Sequence, residues 1–280
     1  MTDATSTAPI SVEAERAQVR RAAARRRNRE AMQLWLVRLI SLVVVLTVWQ
    51  IAGAQVSPIL FTTPWAIAKA AVVMIGSGEL WQYLWPSLLT VIYGLSVAVV
   101  AGVALGLLLA RYRLVDASLD MYITFLYSTP TVALVPIIVL WAGFETLAKS
   151  IILFLFAFFP MVINTYQGVK NVDKKLIEVG KVFRCSEGQL WSQIIIPGAL
   201  PFIVVGLRLA VGRALIGMVI ADLYTAISGI GYLIVRTAST YQIDKMFVPI
   251  VTLGLLGVLM TAVLRLAERK VAPWTVANND

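Results

Sequence analysis

Few residues in this chain could perform catalysis or bind a metal ion. The 280 residues include no histidine and a single cysteine, Cys185. Histidine is the usual general base near neutral pH and the commonest metal ligand, so its absence removes Ser-His and Cys-His pairs. Cys185 cannot form an internal disulfide or a cysteine-based zinc site. No phosphate-binding G-x-x-x-x-G-K-[ST] loop is present either. We therefore expect a non-catalytic chain that binds no cofactor or metal of its own.

Three charged residues within one apolar segment are candidates to line or gate a pathway through a membrane: Arg208, Arg213 and Asp222. At about 100° per residue, Arg208 and Asp222 lie about 40° apart around a helix but about 21 Å apart along it. Arg213 faces nearly opposite Asp222, so a pair with Asp222 inside this helix is excluded. A buried acid is costly, which favours a functional role for Asp222, while structural roles for all three stay open.

The composition of the chain places these residues in a membrane. Hydrophobic residues make up 59% of the sequence and charged residues 14%, whereas soluble domains are about 25% charged. Six apolar runs have the roughly 20 residues that a helix needs to cross a bilayer. They are 34–56, 86–110, 119–143, 148–167, 201–224 and 246–266. We therefore predict an all-α integral membrane protein with six transmembrane helices.

The residues around these runs complete the predicted organisation. Residues 1–33 form a basic tail with a helix that begins near Ser11, residues 34–270 form the transmembrane domain, and 271–280 form a short terminus. Thr63 and Pro64 suit the start of a further helix over 63–77. That helix is too short and too amphipathic to span, so we predict that it lies in the membrane interface.

Positive charges predict the orientation of the chain. Lysines and arginines concentrate in the tail, in the connections around 111–113 and 170–184, and from 265 onward. The connections assigned to the other side carry only Lys69, Lys149, Arg236 and Lys245. The positive-inside rule then places both termini in the cytoplasm. This asymmetry explains the net charge of +9 without nucleic-acid binding, and the basic tail is suited to anionic lipid headgroups.

Prolines and small residues predict how the spans bend and pack. Pro130 and Pro136 should kink the third span, because each removes a backbone hydrogen bond. A kinked helix beside small-residue stripes suits a moving pathway, so both prolines are further candidates for the pathway or its gate. Small residues recur every four positions on the second and fifth spans, and such stripes allow close helix contact within the bundle or between subunits. The stripes are Gly94, Ala98, Gly102, Gly106 and Ala110, and Gly206, Ala210 and Ala214.

The connection over residues 170–197 is the most informative segment. Its apolar residues are spaced to form one side of a helix–turn–helix: Leu176, Val179, Phe183, Leu190 and Trp191. The turn is expected near 186–188, where Ser186 can cap the second helix. Pro197 and Pro201 are expected to break the chain before the fifth span. An amphipathic helix pair of this kind fits a groove on another protein, with a position on the membrane surface as the alternative.

This connection resembles the E-A-A…G…I-x-L-P loop of permease subunits from bacterial ATP-binding-cassette (ABC) importers. Glu178-Val179-Gly180 matches E-A-A, and Ile194-Ile195-Ile196-Pro197 matches the closing I-x-L-P. Arg184 stands where the family has glycine. Arginine lacks glycine's freedom to adopt positive φ. Either the turn has therefore moved toward Gly188, or Arg184 makes its own contact with the protein that binds this loop.

Other segments resemble the nitrate/sulfonate/taurine branch of that family. They are Thr129-Pro130 with Pro136 and the Leu140-Trp141 segment, the fifth span from Gly206 to Leu223, and Gly229-Ile230-Gly231 after it. Asp222 stands where this branch often has glutamate. The resemblance extends over roughly residues 34–270.

The resemblance implies a complex in the bacterial inner membrane. It would contain two copies of this permease, two ATP-binding subunits that hold ATP and Mg²⁺, and a periplasmic or lipid-anchored solute-binding protein. The loop would carry ATPase closure into the spans. The coupling residues it implies are Glu178, Val179, Gly180, Phe183, Arg184, Gly188, Trp191 and Pro197.

The resemblance leaves the solute open among nitrate, alkanesulfonates, taurine, aromatic carboxylates and pyrimidine vitamin precursors. Two other classes of protein compete with the importer. A secondary transporter or channel would need inverted repeats or several intramembrane acids, and an integral membrane enzyme would need catalytic groups that this sequence lacks.

Overall fold

The computed structural model of the chain describes the backbone of residues 12–271 and the side chains of residues 26, 29, 30 and 32–266. Throughout this part of the chain the regular elements are helices, which confirms the all-α prediction. They are α1 (Val12–Ala54), α2 (Pro64–Gly76), α3 (Glu79–Arg111), α4 (Arg113–Ser128), α5 (Thr131–Ala142), α6 (Thr146–Lys170), α7 (Lys174–Val182), α8 (Glu187–Leu190), a π-helical turn (Trp191–Ile195), α9 (Ile196–Thr225), α10 (Ile230–Ser239) and α11 (Ile243–Val271).

The predicted spans correspond to long apolar helices. Within the described residues, α1, α3, α6, α11 and the continuous run from α8 through α9 are each long and apolar enough to cross a membrane. Helices α4 and α5 meet the same test only when taken together, and their sharp bend makes the pair either one broken span or a re-entrant loop. Five of the six predicted spans therefore correspond to a long apolar helix each, and the third corresponds to the bent pair of α4 and α5.

The first compact unit of the chain ends at residue 65. Its helix α1 runs for 43 residues through the basic segment and the first apolar run, with no interruption near residue 33. The predicted helix start at Ser11 lies outside the described residues. After α1 the chain turns back along the helix end, where Trp49 Nε1 donates to the Thr62 carbonyl oxygen at 3.0 Å.

Helix α2 covers the segment for which a short helix is predicted. Ile67, Ala70 and Met74 are buried and recur every three to four residues, so one face of α2 packs inward. The location of this helix in the membrane interface stays a prediction.

Helices α3, α6 and α9 form the core of the second unit. A Cβ atom on Gly102 of α3 would stand 2.5 Å from Met161 of α6, and one on Gly206 of α9 would stand 2.8 Å from Asn164. Gly94 faces α6 in the same way. Small residues at such contacts bring helix backbones together, which favours association where lipid offers no hydrophobic driving force. Of the two alternatives for the small-residue stripes, packing within the chain is confirmed.

The third span is broken at one proline and continuous through the other. The axes of α4 and α5 differ by 96°, and Pro130 stands at the break, directly before α5. Pro136 lies inside α5, which continues to Ala142. The predicted effect of Pro130 is therefore confirmed and larger than a kink. Helix α5 is continuous through Pro136, and a kink at that residue stays a prediction.

The chain does not break before the fifth span. Helix α8 passes through the π-helical turn into α9, and Pro197 and Pro201 lie in the first turns of α9. The Ile196 N–H donates to the Trp191 carbonyl oxygen five residues back. A π-helical turn contains one extra residue, which shifts the pattern of backbone hydrogen bonds by one residue just before Pro197. Pro197 itself has no N–H to donate. The prediction that these prolines break the chain is therefore wrong.

Candidate functional site

The end of the bundle where α6 begins and α9 ends, called here the far end, contains a buried ion pair. Lys149 Nζ donates to Asp222 Oδ1 at 2.7 Å, and the two side chains are 5% and 1% exposed. Lys149 also donates to the carbonyl oxygen of Ser228 at 2.6 Å and to its hydroxyl oxygen at 3.1 Å. An ammonium group has three donors, so the hydrogen-bonding capacity of Lys149 is filled.

The second carboxylate oxygen of Asp222 joins two further helices. Ser87 of α3 donates to Asp222 Oδ2 at 2.5 Å and accepts the Ile230 N–H at 2.8 Å. The Gly231 N–H donates to the same Asp222 oxygen at 3.3 Å. The first N–H groups of a helix have no partner within it, and negative charge is favourable there, so Ser87 and Asp222 cap the start of α10. One hydrogen-bond network thus connects α3, α6, α9 and α10.

Two glycines allow α10 to begin against the carboxylate. Gly229 has a φ of +99°, and a Cβ atom at this position would overlap the Asp222 carboxylate. A Cβ atom on Gly231 would stand 2.7 Å from Asp222 Cβ and 2.8 Å from the Val219 carbonyl oxygen. Other residues rarely adopt the φ of Gly229 and would not fit at either position. The Gly-Ile-Gly sequence after the fifth span is therefore required by this contact.

The pairing of Asp222 with Lys149 was not predicted from the sequence. Lys149 is the second residue of the predicted fourth span but was counted among the charges of the outer connections. It lies near the start of α6 and is buried, so its assignment to a connection is wrong. Arg208 and Arg213, considered above as partners, lie elsewhere: Arg213 stands over the Tyr127 ring at 5.8 Å, and Arg208 lines a groove between α9 and α11. The pair could have been predicted from one general rule: an acid and a cation inside apolar helices are costly unless they pair with each other.

The opposite end of the bundle, called here the loop end, bears α7 and α8. Helix α7 ends at Val182, and Arg184, two residues beyond it, has a φ of +54°. The Cys185 N–H donates to the Gly180 carbonyl oxygen at 3.0 Å, and the Arg184 N–H donates to that of Lys181 at 2.9 Å. This pair of bonds is the Schellman arrangement, in which glycine usually occupies the left-handed position. The turn therefore remains at the family's glycine position with arginine in it, and the alternative of a turn moved to Gly188, which lies within α8, is wrong.

The start of α8 follows the predicted capping pattern. The Gln189 N–H donates to Ser186 Oγ at 3.3 Å, and the Ser186 N–H donates to Gln189 Oε1 at 2.8 Å. These reciprocal bonds form a capping box, which confirms Ser186 as the N-cap.

The apolar residues of the loop do not share one side. Leu190 is buried against Gly180, where a Cβ atom would stand 2.5 Å from Leu190 Cδ2. Val182 and Phe183 are instead 81% and 78% exposed. Leu176 and Val179 are also exposed, so the prediction of a single apolar side that includes Leu190 is wrong. The helix pair packs through Gly180 and Leu190 and leaves the other apolar side chains of α7 available to a partner.

The remaining loop residues connect this helix pair to the bundle. The Arg111 guanidinium, at the end of α3, stands 5.1 Å from the centre of the Trp191 ring. Glu178 is exposed on α7, and Pro197 lies at the start of α9. The eight residues predicted for coupling thus lie within one connected segment, from the outer surface of α7 to the first turn of α9.

A second polar cluster lies at the loop end between α4 and α6. Tyr166 donates from its hydroxyl to Asp116 Oδ2 at 2.9 Å, and Lys170 Nζ stands 3.5 Å from the same oxygen. A cavity of about 200 Å³ adjoins it, lined in part by Asp120 and Tyr127. These contacts hold the first half of the broken span against the core at the end that carries the loop.

Comparison with known proteins identifies the family of this chain. Residues 98–273 match the family described as "binding-protein-dependent transport system inner membrane component". This chain belongs to that family. The matched region includes the ion pair, the loop and the broken span of the permease.

Relatives of the permease indicate the branch of the family to which it belongs. Proteins named as aliphatic sulfonates transport permeases in Bacillus subtilis and Escherichia coli are each 34% identical to it, over 86% and 87% of this chain and 88% and 94% of theirs. A taurine transport system permease of Escherichia coli is 29% identical, over 84% of this chain and 88% of its own. The permease is thus a multi-pass membrane subunit of the ABC importer class, in the sulfonate/taurine/nitrate branch.

Solved structures share the fold of the permease. A chain of the MetNI methionine ABC transporter in an inward-facing conformation has a TM-score of 0.53 at 19% identity, and the match covers 69% of this chain and 96% of that one. A chain of an amino acid ABC transporter with histidines matches at a TM-score of 0.53 and 18% identity, over 71% and 98% of the two chains. The likeness to these membrane subunits supports the assignment of fold.

Proposed function

We propose that this permease forms the solute pathway of an ATP-driven importer and couples that pathway to separate ATPase subunits through α7 and α8. Two copies would assemble with two ATPases at the loop end and a solute-binding protein at the far end. Both termini and the loop end would lie in the cytoplasm, and the far end would face the periplasm. The chain itself would bind no cofactor, because ATP and Mg²⁺ would be held by the ATPases.

The exposed apolar surface of α7 carries this proposal. Val182 and Phe183 extend from a polar connection in a position where packing within the chain does not use them. Charged neighbours, including Glu178 and Arg184, surround them, and an apolar centre with a charged rim is typical of a protein interface. Aromatic residues contribute strongly at such centres, which makes Phe183 the expected anchor in an ATPase groove.

The connection from α7 to the spans supports a coupling role. Helix α7 packs through Gly180 on Leu190, and the helical run from α8 through α9 is continuous, so a displacement of α7 would pass through this contact into the fifth span. The contact between Trp191 and Arg111 carries the same displacement to α3. Under this proposal, Arg213 and Pro130 lie at the moving pathway, beside the break in the third span.

A charge reversal tests the docking site. Glu178→Lys with Arg184→Glu should reduce co-purification of the ATPase with the permease, because both side chains border the proposed contact. Glu145→Lys with Lys245→Glu is the matched control, since it exchanges the same charges at the far end. Equal ATPase recovery with both double variants would contradict the docking site.

The substrate class is proposed from the relatives. A small organic anion, with an alkanesulfonate or taurine as the first candidate, fits the names of the sulfonate and taurine permeases; nitrate and aromatic carboxylates are further candidates. Uptake into vesicles that contain the permease, its ATPase and its binding protein should require ATP and be competed by alkanesulfonates. Uptake that persists with an inactivated ATPase would instead support a secondary transporter or channel.

A further inference from the structure

A groove between α9 and α11 has two arginines at one end and apolar walls along its length. It has a volume of about 760 Å³, and Arg208 and Arg265 are the charged residues among the described residues that line it. Leu215 and Gly254 also line it, and both continue into a neighbouring groove of about 370 Å³ that reaches Ile220. The two together form one surface, called here the α9–α11 groove.

The depth of the two arginines matches the edge of the hydrocarbon layer. Arg208 lies 17 residues from the far end of α9 at Thr225, which is about 26 Å along a helix. Arg265 lies 22 residues from the start of α11 at Ile243, or about 33 Å. The hydrocarbon core of a bilayer is about 30 Å thick, so both guanidinium groups stand near the headgroups on the loop side.

The apolar part of the groove has the length of a lipid chain. From Arg208 to Ile220 the groove follows α9 for 12 residues, or about 18 Å. One leaflet contributes about 15 Å of hydrocarbon. A lipid whose headgroup stands at the arginines would therefore extend its acyl chain along most of the groove.

Two glycines in the groove are not explained by packing within the chain. A Cβ atom on Gly212 or on Gly254 would meet nothing within 4 Å. This differs from Gly102 and Gly206, whose missing side chains make room for a neighbouring helix. Glycine weakens a helix interior, and at these two positions its effect is to keep the floor of the groove open.

We propose that the α9–α11 groove binds an anionic phospholipid, with its phosphate at Arg208 and Arg265 and one acyl chain along Leu215 and Gly254. Arginine is suited to phosphate because its planar guanidinium donates two parallel hydrogen bonds. A second copy that met this groove with its own groove is a less suitable occupant, because that symmetric contact would bring four arginines together. This site goes beyond the proposed transport function, since it requires neither an ATPase nor a solute.

Lipid retention by the full-length chain tests the proposal. The protein is purified from nanodiscs that contain phosphatidylglycerol and phosphatidylcholine in equal amounts, and bound lipid is counted by native mass spectrometry. We expect about one phosphatidylglycerol per chain, and at least a tenfold loss in Arg208→Gln with Arg265→Gln. The matched control is Arg113→Gln with Lys174→Gln, which removes two exposed charges at the loop end outside the groove and should retain the lipid.

A second variant tests the groove without changing charge. Gly254→Leu places a side chain into open space and should displace the lipid while both arginines remain. Retention of phosphatidylglycerol in both variants, or equal retention of the two lipids by the parent chain, would overturn the proposal. So would a disulfide between two copies in Gly254→Cys with Cys185→Ser, because that result assigns the groove to a second copy.

Discussion

The buried ion pair at the far end predicts an unusual pattern of stability in three variants. Lys149→Met leaves the Asp222 carboxylate buried, and among the described residues its remaining hydrogen-bond partners are the Ser87 hydroxyl and the Gly231 N–H. Breaking a buried pair by removing one partner costs about 3–5 kcal/mol. Asp222→Asn should cost a similar amount, because it leaves the Lys149 ammonium buried at 5% exposure opposite neutral oxygens.

The double variant should be less damaged than either single variant. Lys149→Met with Asp222→Asn removes both charges, so the expected cost falls to that of neutral hydrogen bonds left unmade, chiefly at Ser228, at about 1–3 kcal/mol. At about 1.4 kcal/mol per factor of ten, each single variant shifts the folding equilibrium by roughly two to three and a half powers of ten. The coupling between the two positions is then of the order of the single-variant cost itself.

Reversible unfolding in mixed micelles, followed by tryptophan fluorescence, measures these differences. Glu79→Gln is the control, since it removes an ion pair with Arg236 that is 4.0 Å long and partly exposed at the same end of the bundle. Such surface pairs contribute about 0–1 kcal/mol. If the double variant lost as much stability as the two single variants added together, the pair would not be a coupled unit and the reasoning would be refuted.

Three further substitutions test separate contacts. Gly229→Ala should be far more destabilising than Gly143→Ala in thermal unfolding, since both residues have positive φ but only Gly229 faces Asp222; similar losses would rule out the clash. Arg184→Gly should raise stability by about 1 kcal/mol by relieving the left-handed backbone, and weaker ATPase co-purification in spite of that gain would assign the side chain to the partner contact. Thr165→Val should have a free energy of unfolding within about 1 kcal/mol of that of the parent chain, because the buried Thr165 hydroxyl has no hydrogen-bond partner among the described residues. A larger loss of stability would show that the hydroxyl has a partner.

The fold was largely predictable because membrane spans are a local property of sequence. Each span needs about 20 apolar residues, and every predicted run has a corresponding helix or bent helix pair. The effects of prolines were less predictable. Helix α4 ends at Ser128, just before Pro130, whereas α5 continues through Pro136. The cost of a proline in a helix depends on whether neighbouring groups satisfy the freed carbonyl oxygen, which a local sequence pattern does not show.

The loop was predictable in position but not in the direction of its side chains. The capping box at Ser186 depends on residues three apart, so the sequence contains all of it. The burial of Leu190 depends instead on the absence of a side chain at Gly180, ten residues earlier. The conformation of Arg184 was unpredictable for a similar reason. Arginine disfavours positive φ, but the hydrogen bonds around the turn hold Arg184 in the left-handed conformation.

The ion pair was the least predictable feature because its members are distant in sequence. Asp222 contacts Lys149 and Ser87, which lie 73 and 135 residues away. Helical periodicity compares residues on one helix, and on that basis it correctly excluded the arginines of the fifth span. It contains no information about which other helix packs against Asp222, so Lys149 could be found only by asking what neutralises a buried acid.

The start of α10 explains why the buried contact between Lys149 and Asp222 is made of charged residues. Apolar side chains could pack α3, α6 and α9 at least as well, because replacing a buried ion pair by apolar groups is often neutral or stabilising. Apolar side chains could not accept the N–H groups of Ile230 and Gly231, which begin a helix at a site buried within the chain, where an unsatisfied N–H is costly. A carboxylate meets that requirement, and its burial in turn requires a cation. Lys149 provides the cation and also satisfies the Ser228 carbonyl oxygen in the turn before α10, so the pair follows from the backbone that it caps.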